Sequence, residues 1–239
     1  MGMISRLTRR ALMASVVVFA ALFGTLSHAQ VDEDELGAWY MYFWNKPAGD
    51  RSYGFQGDVQ HRNWDSGGDL EQLLIRGGVT WSPEGKNTLF TLGAAHVSSE
   101  PYGPSSDSTD EFRIYQEALI PQRLGRKTYL THRFRFEQRW VDNQDTRLRA
   151  RYFLALNYPF NQDTLAQGAH YFSFYNELFV NLNQNIGDGR RVSNFDRNRF
   201  YLAYGYSFRD NIRLQFGWMQ QKSNNVRKSQ LQFNLFHTF

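Results

Sequence analysis

YLTHRFRFEQRW, residues 129–140, decides the fold. Leu130, His132, Phe134, Phe136 and Trp140 fall on one side of a two-residue period, with Thr131, Arg133, Arg135, Glu137 and Arg139 on the other. A helix would scatter both sets around its circumference, whereas a strand points successive side chains to opposite faces. The stretch is therefore one strand with an apolar face and a basic face.

The same period recurs along the chain. In RNRFYLAYGYSF (197–208), Phe200, Leu202, Tyr204, Tyr206 and Phe208 oppose Arg197, Arg199, Tyr201, Gly205 and Ser207. NIRLQFGWMQ (211–220) and HYFSFYNELFVNL (170–182) divide in the same way. Eleven such segments can be counted, near 36–44, 52–62, 71–81, 88–98, 111–120, 128–140, 147–158, 170–183, 197–208, 211–221 and 229–239. Most are about 10 residues long, the length a tilted strand needs to cross a bilayer. The expected fold class is all-β, a transmembrane antiparallel β-barrel. Single-chain bacterial barrels have even strand counts, so the expectation is set at ten to twelve strands. LGAWYMYFW (36–44), apolar on both faces, is the segment least like an ordinary barrel strand.

The N-terminus points to the compartment. Arg6, Arg9 and Arg10 precede the apolar run ALMASVVVFAALFGTL, and Ser27, His28 and Ala29 put small residues where a signal peptidase reads them. Residues 1–29 are expected to be a cleaved secretory signal peptide and residues 30–239 the barrel domain, exported through the periplasm to a bacterial outer membrane. The leader carries three of the 27 basic residues and none of the 23 acidic ones. Its removal brings the net charge close to zero, leaving no electrostatic case for nucleic acid. The chain has no cysteine, which excludes disulfides, thiolate catalysis and thiolate metal sites.

The connections alternate in kind. NKPAGDR, SPEGKN, PQRLGRK, PFNQDTLAQ and FRDN are turn-like; NWDSGGD, SSEPYGPSSDSTD, VDNQDT, NQNIGDGRRVSNFD and KSNNVRK are mostly longer and more polar. Outer-membrane barrels keep short turns on the periplasmic side, which places Phe239 at the periplasmic end. The terminal LQFNLFHTF (231–239) alternates Leu231, Phe233 and Leu235 and closes on Phe239, as a signal for barrel assembly machinery would, with Leu235 and Phe239 its expected determinants. His237 departs from the apolar residue more usual at its position.

Several stretches together resemble an uncharacterised bacterial family, the domain of unknown function 2490, thought to be outer-membrane barrels. They are Arg62 at the end of the second segment, Glu177, Leu178 and Phe179 in YNELFVN, Phe195, Asn198, Arg199 and Tyr201 in FDRNRFYLAYGY, and Gly217 with Met219 in FGWMQQ. The resemblance implies fold and location and supplies no activity.

Turning polar positions inward makes Asp58, Arg62, Arg76, Arg113, Glu117, Arg133, Arg135, Glu137, Arg139, Arg149, Arg151, Glu177, Arg199 and Arg213 the expected lumen lining. Charges facing lipid would cost about 2–4 kcal/mol each at the midplane. Two readings of that lining compete. Arginines forked onto Glu117, Glu137 and Glu177 would make a closed structural barrel. A surplus of arginine over those three carboxylates would favour small anionic solutes.

An enzymatic alternative rests on AAHVSSE (94–100), where His96 and Ser98 share a strand face. A lipid acyl hydrolase would use such a pair, with Glu100 or Glu111 orienting the imidazole. The small-residue continuation expected after the serine is missing, and a non-enzymatic barrel is the expectation. No histidine or carboxylate spacing repeats a metal-ligand pattern, and Asp107, Asp110 and Glu111 read as a solvated acidic loop. No metal or cofactor is expected. The expected partners are outer-membrane lipids, the barrel assembly machinery and small anionic solutes.

Overall fold

The computed structural model describes residues 35–47, 52–105 and 107–239. The expected signal peptide of residues 1–29 and the middle of the first turn lie outside the described residues. Among those described, eleven strands follow one another: β1 (Gly37–Lys46), β2 (Tyr53–Asn63), β3 (Leu70–Trp81), β4 (Leu89–Ser99), β5 (Thr109–Leu124), β6 (Thr128–Val141), β7 (Arg147–Pro159), β8 (His170–Asn181), β9 (Phe195–Arg209), β10 (Ile212–Lys222) and β11 (Arg227–Thr238). They form one closed barrel in chain order.

Neighbouring strands in sequence are antiparallel, and turn chemistry sets several of the hairpins. Asp210 and Asn211 alone separate the paired Arg209 and Ile212, a two-residue connection of the kind that matches strand twist. Between β5 and β6, Gly125 at φ 60° takes a left-handed conformation that a side chain would disfavour.

An odd count has a geometric consequence. Strands that alternate in direction leave the first and eleventh pointing the same way, so β1 closes against β11 in parallel, from Gly37 opposite Gln230 to Asn45 opposite Thr238. The even-count rule behind the ten-to-twelve expectation does not apply here, and LGAWYMYFW is the strand at which it fails. Parallel pairing is slightly weaker per residue than antiparallel, and aromatic contacts reinforce this seam on both faces. Tyr40 stacks on Phe233 at 5.2 Å on the outside, and Phe43 on Phe236 at 5.0 Å on the inside. His237 belongs to the same seam, its Nδ1 lying 3.1 Å from the Tyr42 hydroxyl. That partner accounts for a histidine in the terminal alternation.

Side chains sort by parity around the wall. Phe55, Val59, Leu73, Ile75, Val79, Leu92, Phe112, Phe134, Phe172, Tyr204, Phe216, Trp218 and Phe233 are exposed on the outside, whereas the arginines and glutamates alternating with them are buried. Trp140 and Trp218 are exposed, as membrane-interface anchors would be. Tyr171, on the parity of Ser173 and Glu177, is only 1% exposed and points inward. Gly205 on the neighbouring strand makes room for it: a Cβ there would come within 2.2 Å of the Tyr171 ring. Gly93 accommodates Tyr115 in the same way, at 2.3 Å.

Candidate functional site

The interior has two unlike walls. On β5 to β7 many of the inward residues are charged, and the register sets these charges side by side: Arg113 opposite Arg139, Glu117 opposite Arg135, Glu137 opposite Arg149, Arg135 opposite Arg151. Adjacent arginines are tolerable only with carboxylates threaded between them. Glu111 takes Arg113 through two bonds of 2.7 Å and Arg139 through a bond of 2.9 Å. Glu117 accepts Arg135 Nε at 2.6 Å. Glu137 accepts Arg149 Nε at 2.7 Å and Arg151 Nη1 at 2.6 Å. Glu177 joins Arg133 at 2.7 Å to Arg151 at 2.6 Å, and Asp58 holds Arg76 at 2.5 Å. Charge-assisted bonds of this kind are the strong ones.

Glu111 differs from its sequence reading, and Asp196 joins the network without having been singled out in the sequence. Glu111, taken for part of a solvated acidic loop, is buried and inward, because its parity on β5 is that of Arg113. Asp196 sits on the outward parity of β9, yet it ion-pairs with Arg149 at 2.8 Å. A register shift between Phe179 and Val180 lies beside it, and only the three-dimensional pairing exposes that irregularity. With Asp58, they raise the lumen's negative charge well above that of Glu117, Glu137 and Glu177 alone.

The second wall, on β1 and β9 to β11, carries an apolar cluster and amides beside Arg197, Arg199, Arg213 and Lys228. Trp39, Met41, Tyr201, Ala203 and Met219 form a buried cluster, against which Phe43 and Tyr175 pack. Amides complete it: Gln232 bonds the Tyr175 hydroxyl at 3.0 Å and Asn234 donates to the Tyr201 hydroxyl at 3.0 Å. Arginines from the charged side reach over its rings, with Arg62 4.2 Å from the centre of Trp39 and Arg151 4.4 Å from that of Phe179.

Between the walls lies a cavity of about 600 Å³. Its lining runs from Gln72, Ser99 and Arg197 beside the longer loops to Asn45, Leu89 and Asn157 beside the short turns. Arg62, Arg76, Arg113, Arg133, Arg139, Arg149, Arg151, Glu177, Arg199 and Arg213 all line it. Arg135 and Glu117 face a smaller space of about 200 Å³ towards the short-turn end, with Arg213 at the edge of both. Glu137 is buried beneath Arg149 and Arg151.

At the long-loop end the connections are stitched together. Trp64 Nε1 donates to the Glu100 carbonyl at 3.0 Å, the Gly103 amide to Asp69 at 2.9 Å, and the Tyr102 hydroxyl to Glu35 at 2.8 Å. The Asp65 carboxylate accepts the backbone N–H groups of Gly68, Asp69 and Gly67, which hold its pKa below the ordinary carboxylate value. At the short-turn end, Phe239 is 63% exposed and its N–H donates to the Asn45 carbonyl at 2.9 Å. Leu235 faces outward beside it on β11.

His96 and Ser98 point outward, away from the cavity. His96 Nε2 stands 3.8 Å from Asp110 Oδ1, both side chains more than half exposed, and Asp110 lies opposite Ser98 in the β4–β5 register. Among the described residues, the Ser98 hydroxyl makes no hydrogen bond to the imidazole. The nucleophile–base contact that serine catalysis needs is thus not made, and the carboxylate beside His96 is Asp110 rather than Glu100 or Glu111. Among the described residues no cluster of three or more histidine and carboxylate side chains could hold a metal ion.

No curated protein and no solved structure matches the chain. A family described as "Protein of unknown function (DUF2490)" matches residues 36–232, from the start of the barrel into its last strand.

Proposed function

The chain belongs to the family described as "Protein of unknown function (DUF2490)", a description that assigns no activity, and we propose that it is a non-enzymatic outer-membrane barrel whose lumen binds and passes small anions. One observation carries this reading: the apolar side chains are outside and the charged ones inside. A barrel in water would reverse that order, because burying charges is costly unless they are paired and an apolar belt has no use in water. In lipid the order is the stable one, since the belt meets acyl chains and the charges meet a lumen. The short turns then face the periplasm, and the outward Leu231, Phe233 and Leu235 with the terminal Phe239 form the surface offered to assembly machinery.

The anion preference comes from the balance of the lumen. Even with Asp58, Glu111 and Asp196 added to the carboxylates, Arg62, Arg199 and Arg213 face the cavity without an ion pair among the described residues. Guanidinium groups in a narrow, low-dielectric space favour anions over cations. The ion-pair network makes the passage narrow, suited to small solutes.

Fractionation tests the membrane placement. Expressed with its leader in a Gram-negative cell, the chain should stay with the outer membrane after a carbonate wash and migrate differently on gels with and without heating. Release of a folded barrel into the aqueous fraction would overturn the proposal.

A further inference from the structure

Most lumenal arginines are neutralised in place, but two that meet at Trp39 are not. Arg62 donates Nε to Gln60 Oε1 at 3.1 Å and Nη1 to Gln72 Oε1 at 2.5 Å, and its Nη2 also donates to Gln60 Oε1. Arg199 donates Nε to Gln221 Oε1 at 2.8 Å, and its Nη groups have no acceptor among the described residues. Each guanidinium is therefore aimed by a neutral amide oxygen, which fixes its direction and leaves its charge intact. Both lie over the same indole, with Arg62 4.2 Å and Arg199 4.8 Å from the ring centre of Trp39.

The carboxylates in the neighbourhood are otherwise engaged. Glu71 accepts Trp39 Nε1 at 2.8 Å and forms no ion pair with Arg62. Glu177 is taken by Arg133 and Arg151. Two like charges, each buried to 7% exposure and brought to one ring without a counter-ion, repel each other and gain nothing for the fold that a neutral pair would not. Forked donors held open on a cavity are what an oxyanion is recognised by.

Resting on the proposed anion-binding lumen, we infer that Arg62 and Arg199, set over Trp39, form a discrete binding site for one small oxyanion, a phosphate or a carboxylate. The bound anion accepts hydrogen bonds from the Nη groups of Arg199 and from the second N–H of each Arg62 Nη, and supplies the ion-pair partner that neither guanidinium has among the described residues.

The test is calorimetric titration of the refolded mature barrel in detergent at low ionic strength, with inorganic phosphate and, separately, acetate. At least one should saturate at one site per barrel. Arg62→Gln and Arg199→Gln should each weaken it by about tenfold or more, the loss of one charge-assisted hydrogen bond. Arg126→Gln, in the exposed turn between β5 and β6 where Arg126 pairs with Asp163, should leave it unchanged. Heat-modifiable migration checks folding, and Arg199→Lys, which keeps the charge and loses the fork, should fall between wild type and Arg199→Gln. No saturable binding by the folded wild type, or equal binding in the Arg62 and Arg199 glutamine variants, would overturn the site. Anion-selective currents from a folded wild type without saturable binding would sink the site and spare the proposed function; a site that binds phosphate in a barrel without selective currents would do the reverse.

Discussion

Replacing Glu137 by glutamine is expected to destabilise the barrel by about 3–5 kcal/mol, the penalty for removing one partner of a buried ion pair. Glu137 is 1% exposed. Its two oxygens hold Arg149 and Arg151, and Arg135 stands 3.8 Å away. The substitution keeps the shape and one acceptor oxygen but removes the charge around which three guanidinium groups are arranged. Glu177, Asp196 and Glu117 continue to hold one arginine each, which keeps the penalty from rising further. A loss of that size is a large share of a typical domain's total stability. The measurement is the urea midpoint of the barrel refolded into phospholipid vesicles, followed by tryptophan fluorescence. Glu84→Gln, in the exposed turn between β3 and β4, should leave the midpoint where it was. A midpoint equally unmoved in Glu137→Gln would mean that the network does not hold the wall together.

The second large effect is on the opposite face. Ile75 lies in the middle of β3, is 52% exposed, and pairs with Val59 on one side and His96 on the other. In water, arginine at such a position would change stability by no more than about 0.5 kcal/mol. Facing lipid near the midplane, Ile75→Arg should cost about 2–4 kcal/mol. Urea unfolding in vesicles reads the difference directly, and a variant as stable as wild type would place β3 outside the bilayer.

Much of this arrangement was legible in the sequence because a two-residue period ties burial to parity. Arg133, Arg135, Glu137 and Arg139 could be put on one face from YLTHRFRFEQRW alone, and strand lengths and turn chemistry followed from the same pattern. What escaped depends on partners distant in the chain. The parallel seam needs both ends of the barrel at once, and His237 looks out of place until Tyr42 is set beside it. That Tyr171 lies against Gly205 on the neighbouring strand also needs the register. Glu111 was masked by its acidic neighbours near the loop, and Asp196 by a register shift that has no signature in residue types. The lumenal arginines were readable as a class; which of them are neutralised, and that Arg62 and Arg199 are held by amides instead, required the side-chain geometry.

The most direct test is electrical. The mature barrel, refolded and inserted into a planar bilayer under a salt gradient, should give discrete current steps with a reversal potential on the anion-selective side, and Arg213→Glu should move it towards zero. A reversal potential on the cation-selective side, or a folded and inserted barrel that passes no current, would contradict an anion-conducting lumen.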